Sequence, residues 1–509
     1  MKRILTSGEM RAVDQAAGEH GMPPAVLMEN AGAALAEAAL ALAGPQGRFF
    51  VLCGSGNNGG DGMVAARKLA ALGRVVFVET TVLTEALEGE AHRVSKAMKA
   101  SGLTPMRIPE ELGVGQGDVV IDALLGIGLS RAPEGKVAEA IGKANAWRTA
   151  GAKIVAADLP SGLASDSGLV HTPCVTADVT VAFGFLKAGQ VREPGASQCG
   201  HTTVADIGIP KAALAVLKDS AVHLLEEADV RERIPRRAPT AHKGTQGHVL
   251  LVAGSWGKTG AAALAGMAAL RSGAGLVTVA TRPEALVPVM AHAPELMGVE
   301  LVSDGPLGQA DLNSLLEAAD GKDAVVIGPG MPRGEETAKL LGAFLEELSV
   351  PCVLDADALN ALAGNLDVLQ RAKGELLLTP HPGEMARLVG KSIEEVQSER
   401  VRHARELAQS SAVTVILKGA RTVIAQTDGQ VFLNPTGNPG MATGGTGDVL
   451  AGMCGALLAQ GLTPESAALT ATYAHGLAGD LAAAQRSLAG LTAMDVVGAL
   501  GDVWRRWNR

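Results

Sequence analysis

The stretch Gly-Ser-Gly-Asn-Asn-Gly-Gly-Asp-Gly at 54–62 joins two segments of different periodicity. Residues 48–53 before it are mostly apolar and predict a buried strand, whereas residues 63–72 after it repeat apolar side chains at helical spacing. A glycine-rich turn from strand to helix presents backbone N–H groups at a helix N-terminus, where anions bind. A tight turn without a ligand explains the glycines equally well, because the run has no Walker A lysine and no clean G-x-G-x-x-G.

Strand and helix signals alternate along the first part of the chain and predict an α/β fold. Apolar runs of strand length recur at 75–80, 118–122, 153–158, 178–183 and 202–206. Helix-length segments separate most of them, and residues 7–43 also carry helical periodicity. This alternation is typical of a mostly parallel sheet that is covered on both faces. Ligands of such sheets bind at the C-terminal ends of the strands.

A second α/β domain is predicted after a charged, proline-containing segment between about 215 and 245. Strand signals restart at 248–253 and recur at 276–280, 324–328, 351–355, 376–379, 413–417, 421–425 and 430–433. The last three are close together and predict antiparallel strands at one edge, while residues 446–509 are almost wholly helical. We therefore predict two domains, 1–220 and 225–509.

Composition narrows the possible functions. With a net charge of −9 and 2% aromatic residues, the chain lacks the basic surface and the stacking side chains that nucleic-acid binding needs. The 5 cysteines are scattered without C-x-x-C spacing, which predicts a reducing, cytoplasmic location and no structural zinc. Because we find neither an apolar run of about 18 residues nor a signal peptide, we expect no membrane partner. A homo-oligomer is expected.

Polar side chains at the ends of predicted strands indicate a site in the first domain. Asp122 and Asp158 each end an apolar strand, where a carboxylate is costly unless it is paired or binds a cation. Asn58, Asp122 and Ser161 offer only oxygen ligands, which suit a hard cation rather than zinc. Lys187 follows a further strand and could pair with Asp158 and exchange protons with a substrate, although an ordinary surface ion pair explains the lysine alone.

Four ordered motifs identify a family for this domain: NNGGDG at 57–62, DALLGIG at 122–128, DLPSG at 158–162 and FGFLKAG at 183–189. They resemble the NAD(P)H-hydrate epimerase domain of the YjeF N-terminal type, over residues 1–215. The resemblance implies a Rossmann-like three-layer sandwich, a potassium ion held by Asn58, Asp122 and Ser161, and acid–base catalysis by Asp158 and Lys187. The residues implied to line the substrate site are Asn57, Asn58, Gly59, Gly60, Asp61, Gly126, Ile127, Gly128, Leu129, Ser130, Arg131, Ala132 and Asp158.

A second glycine-rich run, Asn-Pro-Gly-Met-Ala-Thr-Gly-Gly-Thr-Gly-Asp at 438–448, opens the helical C-terminal region. Glycine N–H groups at a helix start form a cradle for a phosphate or an oxyanion, and Asp448 lies close enough to act as a base. An aspartate is also a common residue at a helix start, but this does not explain the glycines before it. Upstream, Lys418 and the residues to 422 follow a strand and offer a cation and backbone donors to a nucleotide phosphate.

Six further motifs identify a family for the second domain: HKGTQGHVLLVAGS at 242–255, GPG at 328–330, LDADALN at 354–360, LTPHPGE at 378–384, LKGARTVI at 417–424 and NPGMATGGTGDVLAG at 438–452. They resemble the ADP-dependent NAD(P)H-hydrate dehydratase, a ribokinase-like three-layer sandwich, over residues 225–505. The implied contacts to the hydrate are Ala253, Gly330, His381 and Asp448, with Asp448 as the catalytic acid–base. Those implied for the nucleotide are Lys418, Gly419, Ala420, Arg421, Thr422 and Gly447. Asp355 and Asp357 could position a magnesium-bound phosphate, and His381, which lies between two prolines, could instead be a rigid turn residue.

Together the two resemblances imply one repair pathway. The first domain would interconvert the R and S epimers of hydrated NADH or NADPH (NADHX, NADPHX) with K⁺, and the second would dehydrate the S epimer with ADP and Mg²⁺, giving AMP and phosphate. Phosphorylation would turn the hydroxyl, a poor leaving group, into a good one. Two alternatives stay open: an ATP-dependent small-molecule kinase for the second domain and a non-catalytic binding module for the first. The presence of both Asp158 and Lys187 argues against a binding module.

Overall fold

The computed structural model describes residues 1–217, 221–301 and 305–508. The chain divides into two units, Lys2–Asp219 and Ser220–Arg509. The predicted limit at residue 220 lies outside the described residues, so the domain limits 1–220 and 225–509 stay a prediction. Each unit is an α/β structure in which helices cover mostly parallel strands.

The first unit contains a parallel six-stranded sheet. Six of the strands of this unit form that sheet. The strands of the unit are β1 (Lys2–Leu5), β2 (Phe49–Cys53), β3 (Val76–Thr80), β4 (Val119–Ala123), β5 (Lys153–Ala157), β6 (Val179–Phe183), β7 (Leu186–Lys187) and β8 (His201–Ala205). Its helices are α1 (Ser7–Glu19), α2 (Pro24–Leu42), α3 (Asn57–Ala71), α4 (Gly89–Ala100) and α5 (Gly135–Thr149). The sheet has the order β3-β2-β4-β5-β6-β8, and β1 pairs in parallel with β7.

The middle of this sheet is buried on both faces, as the apolar run at 48–53 predicts. Phe49 and Val51 of β2 belong to a core cluster with α2 and α3, whereas Phe50 and Leu52 belong to a second cluster with α5. Because successive side chains of a strand point to opposite faces, these two clusters lie on opposite sides of the sheet. The result is three layers, with helices on either side of the strands.

Two helix boundaries in this unit differ from the sequence prediction. The periodicity of 7–43 belongs to two helices, since α1 ends at Glu19 and α2 begins at Pro24, with Pro23 as its N-cap. A proline at the first helical position is favoured because its fixed φ suits the helix and its missing N–H is not needed there. The helix predicted from 63 begins at Asn57, so Gly59, Gly60 and Gly62 lie inside α3 and not in a loop.

The second unit contains a longer, mixed sheet. Its strands are β9 (Val222–Leu224), β10 (His248–Val252), β11 (Leu276–Thr281), β12 (Met297–Glu300), β13 (Ala324–Ile327), β14 (Cys352–Leu354), β15 (Leu376–Leu378), β16 (Thr414–Leu417), β17 (Val423–Ala425) and β18 (Val431–Leu433). Its helices are α6 (Glu227–Arg231), α7 (Thr259–Arg271), α8 (Pro283–Met290), α9 (Leu312–Ala319), α10 (Thr337–Glu347), α11 (Ala356–Leu362), α12 (Asp367–Arg371), α13 (Pro382–Val389), α14 (Ile393–Ser398), α15 (Arg400–Ser411), α16 (Thr446–Ala459), α17 (Pro464–Gln485) and α18 (Ala493–Arg506).

The strands of this sheet follow the order β12-β11-β10-β13-β14-β15-β16-β17-β18-β9. Neighbours from β12 to β16 are parallel, and the two pairs among β16, β17 and β18 are antiparallel, so the predicted antiparallel edge segment is confirmed. The sequence prediction missed β9 and β12. Both are short and only partly buried or exposed, so neither carries the apolar run from which the other strands were predicted.

Each sheet has one point where the strand order reverses. In the first unit the chain goes from β2 to β3 on one side and then returns to place β4 on the other side of β2. In the second unit it goes from β10 through β11 to β12 and then places β13 on the other side of β10. The loops after such strand pairs diverge and leave a crevice, which is where open α/β sheets bind ligands.

One described helix, α2, is long and apolar enough to cross a membrane by length and composition alone. In this structure Leu27, Ala31 and Leu35 on one side of α2 are buried in a core cluster of the first unit. Core helices pass the same test of length and composition, so the prediction of no membrane partner stays a prediction.

Candidate active sites

A cavity of about 590 Å³ opens at the point of reversal in the first unit. Its walls come from α1, from the start of α3, from the loop after β4 and from the residues that follow β5 and β6. The predicted substrate residues that line it are Asn57, Asn58, Asp61, Gly126, Ile127, Gly128, Leu129 and Asp158. Lys187 lines the same cavity, so the structure brings together side chains from four separate motifs.

The remaining predicted substrate residues of this unit do not line the cavity. Gly59 and Gly60 face the protein itself: a Cβ on Gly59 would lie 2.1 Å from the Gly54 carbonyl oxygen, and one on Gly60 would lie 2.7 Å from the end of the Met28 side chain. Three further residues lie beyond the cavity on the exposed part of the loop, namely Ser130, Arg131 and Ala132. Glycines that allow close helix packing and glycines that allow close ligand approach look the same in a sequence.

Asp158 and Lys187 form a buried ion pair at the cavity wall. Lys187 Nζ donates to Asp158 Oδ1 and also to the Phe183 carbonyl oxygen, at 3.0 Å, and the lysine is 1% exposed. Asp158 has a φ of 61°, a strained conformation for a non-glycine residue. Its Oδ1 also accepts from the Phe183 backbone N–H at 3.0 Å. A charged lysine is tolerated in this position because a carboxylate and a carbonyl oxygen replace water around it.

Gln190 holds both members of this pair and was missed by the sequence analysis. Its Nε2 donates to the Asp158 carbonyl oxygen at 2.6 Å, and its Oε1 accepts from the Lys187 backbone N–H at 2.7 Å. The side chain is buried, and both hydrogen bonds hold the backbone on which the two charged groups are mounted. In the sequence, Gln190 is marked only by its position three residues after Lys187. That spacing alone does not distinguish a residue that positions the ion pair from an ordinary loop glutamine.

Three further carboxyl groups face the cavity, those of Asp14, Asp61 and Glu90. Burial raises the pKa of Asp61 well above its usual range, and the negative charges of Asp158 and Asp14 add to the effect. Burial also raises the pKa of Asp14 to about 6, an effect that Lys187 opposes and Asp158 increases. Asp14 lies on α1, outside every motif of the sequence analysis, and was missed for that reason.

Two of the three predicted potassium ligands, Asn58 and Ser161, bond to the backbone of Leu125, and the third, Asp122, bonds to Ser161. Asn58 Nδ2 donates to the Leu125 carbonyl oxygen at 2.9 Å, and the Leu125 N–H donates to Ser161 Oγ at 2.9 Å. Ser161 Oγ donates to Asp122 Oδ1 at 2.6 Å, and burial raises the pKa of Asp122 to about 6. A buried carboxylate, a hydroxyl, an amide and a carbonyl oxygen in one place form the oxygen-only donor set that a hard cation requires, so these residues fit K⁺.

In the second unit the loops at the point of reversal are hydrogen-bonded to each other. The Gly254 N–H donates to the Pro329 carbonyl oxygen at 2.8 Å, and Ser255 Oγ donates to the Gly330 carbonyl oxygen at 2.8 Å. These bonds bring Ala253 and Gly330, two predicted hydrate contacts from different motifs, to the same edge of the sheet. Gly330 has a φ of 62°, and a Cβ there would lie 2.9 Å from the Lys258 carbonyl oxygen, so the turn requires glycine.

The third predicted hydrate contact, His381, is the N-cap of α13. Its Nδ1 accepts from the Gly383 N–H at 3.0 Å, and its Nε2 lies 3.4 Å from Glu384 Oε1. Burial lowers the pKa of His381, and the charges of Lys418 and Arg387 lower it further. The half-exposed ring is therefore neutral at neutral pH, and it has the helix-capping role that the turn hypothesis implied. Its contact with the hydrate stays a prediction.

Lys418 is the centre of a buried charge cluster. Its Nζ lies 2.7 Å from Asp355 Oδ1 and 3.9 Å from Glu384 Oε2, and Thr379 Oγ1 donates to the same Asp355 oxygen at 2.6 Å. Burial alone would lower the pKa of Lys418, but the two carboxylates raise it, so the amine stays charged. Glu384 was missed as a member of this cluster, and burial raises its own pKa.

Asp448 lies beside this cluster in the first turn of α16. Burial raises its pKa to about 7, Asp355 adds to the effect, and Lys418 opposes it. Gly445, the N-cap of the helix, has a φ of 94°. A Cβ on Gly444 would meet nothing within 4 Å, and one on Gly447 would lie 3.3 Å from Lys418 Nζ. The glycine-rich run therefore leaves open backbone next to a cation and a carboxyl group that titrates near neutral pH.

The predicted nucleotide segment, Lys418, Gly419, Ala420, Arg421 and Thr422, is held by Arg400. The Arg400 guanidinium donates to the carbonyl oxygens of Leu417, Lys418 and Ala420 at 3.0, 3.1 and 2.8 Å. Gly419 has a φ of 135°, which is available to glycine and strained for other residues. Arg400 was missed because it lies on α15, before the strand that leads to this segment.

The carboxylates predicted to position a magnesium-bound phosphate already face cations. Asp355 pairs with Lys418, while Asp357 lies 3.1 Å from Lys258 Nζ and 3.1 Å from Arg333 Nε. Within residues 1–217, 221–301 and 305–508, no group of three or more His, Cys, Asp and Glu side chains is placed to hold a metal ion. These residues fit a Mg²⁺ that arrives with nucleotide phosphates and takes one or two carboxylates at most, which is its common mode in proteins.

Comparisons with known proteins agree with this geometry. A family model described as YjeF-related protein N-terminus matches residues 24–189, and one described as NAD(P)H-hydrate dehydratase matches residues 249–500. The chain is 42% identical to the bifunctional NAD(P)H-hydrate repair enzyme of Moorella thermoacetica, over 99% of this chain and 96% of that one. It is 37% identical to that of Escherichia coli, over 89% of this chain and 84% of that one.

A solved structure resembles the second unit. It is an ADP/ATP-dependent NAD(P)H-hydrate dehydratase from Bacillus subtilis, co-crystallised with ATP and Mg²⁺, with 35% identity and a TM-score of 0.49. The match covers 56% of this chain and 99% of that one. The α/β fold prediction, a Rossmann-like unit followed by a ribokinase-like unit, is confirmed. Both resemblances inferred from motifs are also confirmed, and the chain belongs to the family of bifunctional NAD(P)H-hydrate repair enzymes.

Proposed function

We propose that this protein repairs hydrated NADH and NADPH in two steps. The first unit interconverts the R and S epimers, and the second dehydrates the S epimer with ADP, giving NAD(P)H, AMP and phosphate. The observation that carries the proposal is that each unit holds a carboxyl group beside a buried or mostly buried lysine. These groups are Asp158 with Lys187 in the first unit and Asp448 with Lys418 in the second.

Epimerisation requires proton transfer near a carbon that carries a hydroxyl and is bonded to the ring nitrogen. Lys187 supplies a proton donor that is fixed in place, because Asp158, Phe183 and Gln190 hold its amine and its backbone. The nicotinamide ring enters the cavity between the start of α3 and the loop after β4, where Asn57, Asp61 and Gly126 line the wall. Burial raises the pKa of Asp61 well above its usual range, which favours the protonated form of its carboxyl group, and that form can donate a hydrogen bond there.

K⁺ held by Asn58, Asp122 and Ser161 would supply a fixed positive charge at the same wall. These residues already fix the loop after β4, because Ser161 and Asn58 both bond to Leu125. The buried Asp122 carboxylate would then have a cation partner as well as its bonds to Ser161. Charged groups without partners in such an environment are costly, and a bound cation removes much of that cost.

Dehydration needs a better leaving group than hydroxide, and phosphorylation of the hydroxyl provides one. Asp448 takes the hydroxyl proton as the oxygen attacks the β-phosphorus of ADP and the bond to AMP breaks. The ring nitrogen then expels the phosphate, and loss of a proton from the neighbouring carbon restores the double bond. With a pKa of about 7, Asp448 is partly ionised at neutral pH and can serve as a base.

The remaining residues of this site bind and orient the two substrates. Lys418 neutralises charge on the transferred phosphoryl group, and Gly447 offers its backbone N–H at the start of α16. Gly419, Ala420, Arg421 and Thr422 hold the nucleotide, while Ala253, Gly330 and His381 contact the hydrate. Mg²⁺, when bound, neutralises the phosphate charges that these residues do not reach.

The test uses an R/S mixture of hydrated NADH and follows the absorbance of the reduced nicotinamide. With ADP, Mg²⁺ and K⁺, the wild-type protein should recover all of the NADH, in a fast phase and a slow phase. Lys187→Ala should lose the slow phase beyond the spontaneous rate, and Asp448→Asn should lose both phases. Recovery of no NADH with either ADP or ATP, or ATP-dependent phosphorylation of a stable alcohol instead, would refute the proposal.

We place this reaction in the cytoplasm and leave the homo-oligomer as a prediction. None of the 5 cysteines, all of which lie among the described residues, forms a disulfide, and 4 of them are buried. Unoxidised thiols in these numbers are typical of a reducing compartment, which is also where NAD(P)H is abundant.

A further inference from the structure

We propose that Asp14 of α1 is the base that takes the substrate hydroxyl proton during epimerisation, acting together with the Lys187–Asp158 pair on another wall of the cavity. This inference rests on the proposed epimerase function of the first unit. It deepens that function by dividing the acid and base roles between named groups. Asp14 lies before residue 24, the first residue of the family match.

Epimerisation by ring opening needs two proton-transfer groups at once. The hydroxyl gives its proton to a base while the bond between its carbon and the ring nitrogen breaks, and an acid protonates that nitrogen. The open form carries an aldehyde; rotation and reclosure on its other face return both protons and give the opposite epimer. One proton leaves and one enters in each direction, so the step needs no oxidant, reductant or other co-reactant.

Lys187 can supply the acid but not the base. Its ammonium group has three donors and no acceptor, and two donors are used by Asp158 and Phe183. One N–H is left for a substrate in the cavity. The base must therefore be a carboxylate that lines the cavity, and the candidates are Asp14, Asp61, Glu90 and Asp158.

Three of these four carboxyl groups are poorly suited to accept a proton. Asp158 Oδ1 already accepts from Lys187 Nζ and from the Phe183 backbone N–H. Burial raises the pKa of Asp61 well above its usual range, which favours the protonated form of its carboxyl group. Glu90 lies in the first turn of α4 and pairs with Arg93 at 2.6 Å on the exposed surface. Asp14 is the candidate left.

Asp14 has the environment of a base. Within the part of the chain that the structure describes, no donor forms a hydrogen bond or an ion pair with its carboxylate, so the group is available to a ligand. The charges that act on it are Lys187 and Asp158, and the other charged groups facing the cavity are Asp61 and Glu90. Its pKa of about 6 leaves it mostly ionised at neutral pH, yet more basic than an exposed aspartate.

Two elements packed against α1 carry charged residues that, among the described residues, do not shift the pKa of Asp14. They are β1, which carries Lys2 and Arg3, and the segment Lys211–Val216, which carries Lys211. The influences on the pKa of Asp14 are burial, Lys187 and Asp158, in that order.

The helix that carries Asp14 is fixed at both its start and its side. Thr6 caps α1 through a capping box with Glu9, and the N–H and Oγ of Ser7 donate to Asp166 at 2.6 and 2.7 Å. Val13, next to Asp14, is buried in a cluster with Leu5. Because the first turn of α1 and the neighbouring residue Val13 are both held in place, Asp14 has a defined position at the cavity wall, as a catalytic group requires.

The test compares Asp14→Asn with the full-length wild-type protein in the two-phase assay described above. We expect the slow phase to fall about 100-fold towards the spontaneous rate, the usual effect of removing a general base. The fast phase, which belongs to the second unit, should not change. Glu19→Gln is the control, because it removes a carboxylate from the exposed end of the same helix, away from the cavity, and should leave the slow phase within about two-fold of wild type.

A pH profile separates a base from a structural residue. In the wild-type protein the slow phase should weaken below a pH of about 6, and in Asp14→Asn the remaining rate should lose that dependence. Asp14→Glu should regain part of the rate. A slow phase within two-fold of wild type in Asp14→Asn, or a slowed one that keeps the acid limb, would overturn the inference. If the wild-type protein itself shows no slow phase, the proposed epimerase function fails instead.

Discussion

The two glycine-rich runs of this chain look alike in sequence and differ in what their glycines do. In the run at 54–62, the glycines inside α3 face the protein: a Cβ on Gly59 would lie 2.1 Å from the Gly54 carbonyl oxygen, and one on Gly62 would lie 2.5 Å from Ala123 Cβ. In the run at 438–448, a Cβ on Gly444 would meet nothing within 4 Å, and Gly447 faces the Lys418 amine.

The glycines inside α3 therefore allow close packing, whereas Gly444 leaves open space beside the backbone. The second run also contains packed glycines, since a Cβ on Gly440 would lie 2.6 Å from the Leu488 carbonyl oxygen and one on Gly445 would lie 2.4 Å from Leu264 Cδ1. In the first unit the run lines the cavity with the side chains of Asn57, Asn58 and Asp61. A Cβ on Gly56, the N-cap of α3, would meet nothing within 4 Å, so the interpretation of each run as a backbone anion cradle stays a prediction.

The largest expected difference in stability is between two variants that each add one methyl group, Gly59→Ala in the first run and Gly444→Ala in the second. Gly59→Ala should destabilise the first unit by about 3 kcal/mol or more, because its Cβ would collide with backbone that cannot move aside cheaply. Gly444→Ala should change the free energy of unfolding by less than about 0.5 kcal/mol, because there is space for the methyl group. Urea unfolding of each full-length variant measures both values.

The two variants should also differ in the activity that they lose. Gly444→Ala should raise the KM for ADP by about 10-fold, since its methyl group would lie where a phosphate approaches the backbone. Gly59→Ala should reduce only the slow phase of NADH recovery. Equal stability of the two variants would falsify the distinction between packing and ligand-facing glycines.

A smaller effect is expected from the charge cluster of the second unit. Lys418→Met should destabilise that unit by about 2 kcal/mol, because it leaves the 1%-exposed Asp355 without its cation. The double variant Lys418→Met/Asp355→Asn should regain at least half of that loss, since Thr379 can still donate to the amide oxygen. Urea unfolding gives the stabilities, and calorimetric titration with ADP and Mg²⁺ gives the affinities.

Neither of these variants should bind ADP well, because the cation for the phosphates is absent from both. The corresponding exchange of Lys187 in the first unit should leave ADP binding unchanged. If the double variant is as unstable as the single one, the cost comes from lost packing of the lysine stem and not from the unpaired carboxylate.

Much of the fold was predictable from the sequence, because buried parallel strands are written as short apolar runs. The runs at 48–53 and 248–253 became β2 and β10, which lie where the strand order of each sheet reverses. Motif residues at strand ends could also be placed, since parallel strands bring their carboxyl ends to one edge. Asp122 and Asp158 were found in this way, whereas Gly330 was implied by the family resemblance.

The residues that the sequence analysis missed act through three-dimensional contacts that leave no local pattern. Asp14 lies on a helix outside the motifs and reaches the cavity only because α1 packs there. Gln190 and Arg400 act by bonding to backbone carbonyl oxygens of other segments. Hydrogen bonds of this kind depend on the path of the chain, and single-sequence periodicity does not contain it.

The smallest expected effect is a dependence of the stability of the second unit on pH through Asp448. The pKa of Asp448 is raised to about 7 by burial and by Asp355, while an unfolded aspartate titrates near 4. Between these values the folded state holds a proton that the unfolded state has lost, so stability falls as the pH rises through about 7.

Asp448→Asn has no such charge and should unfold about 2–4 °C above wild type at a pH of about 8.5. Calorimetric scans should show this gap narrowing at a pH of about 5, where the folded wild-type carboxyl group is protonated, and closing below a pH of about 4, where the unfolded one is protonated as well. Asp320→Asn, on the exposed surface of the same unit, is the control and should show no gap that depends on pH in this range. A constant gap for Asp448→Asn at both pH values would mean that its carboxyl group is ionised throughout, and Asp448 would then be too weak a base for the hydroxyl proton.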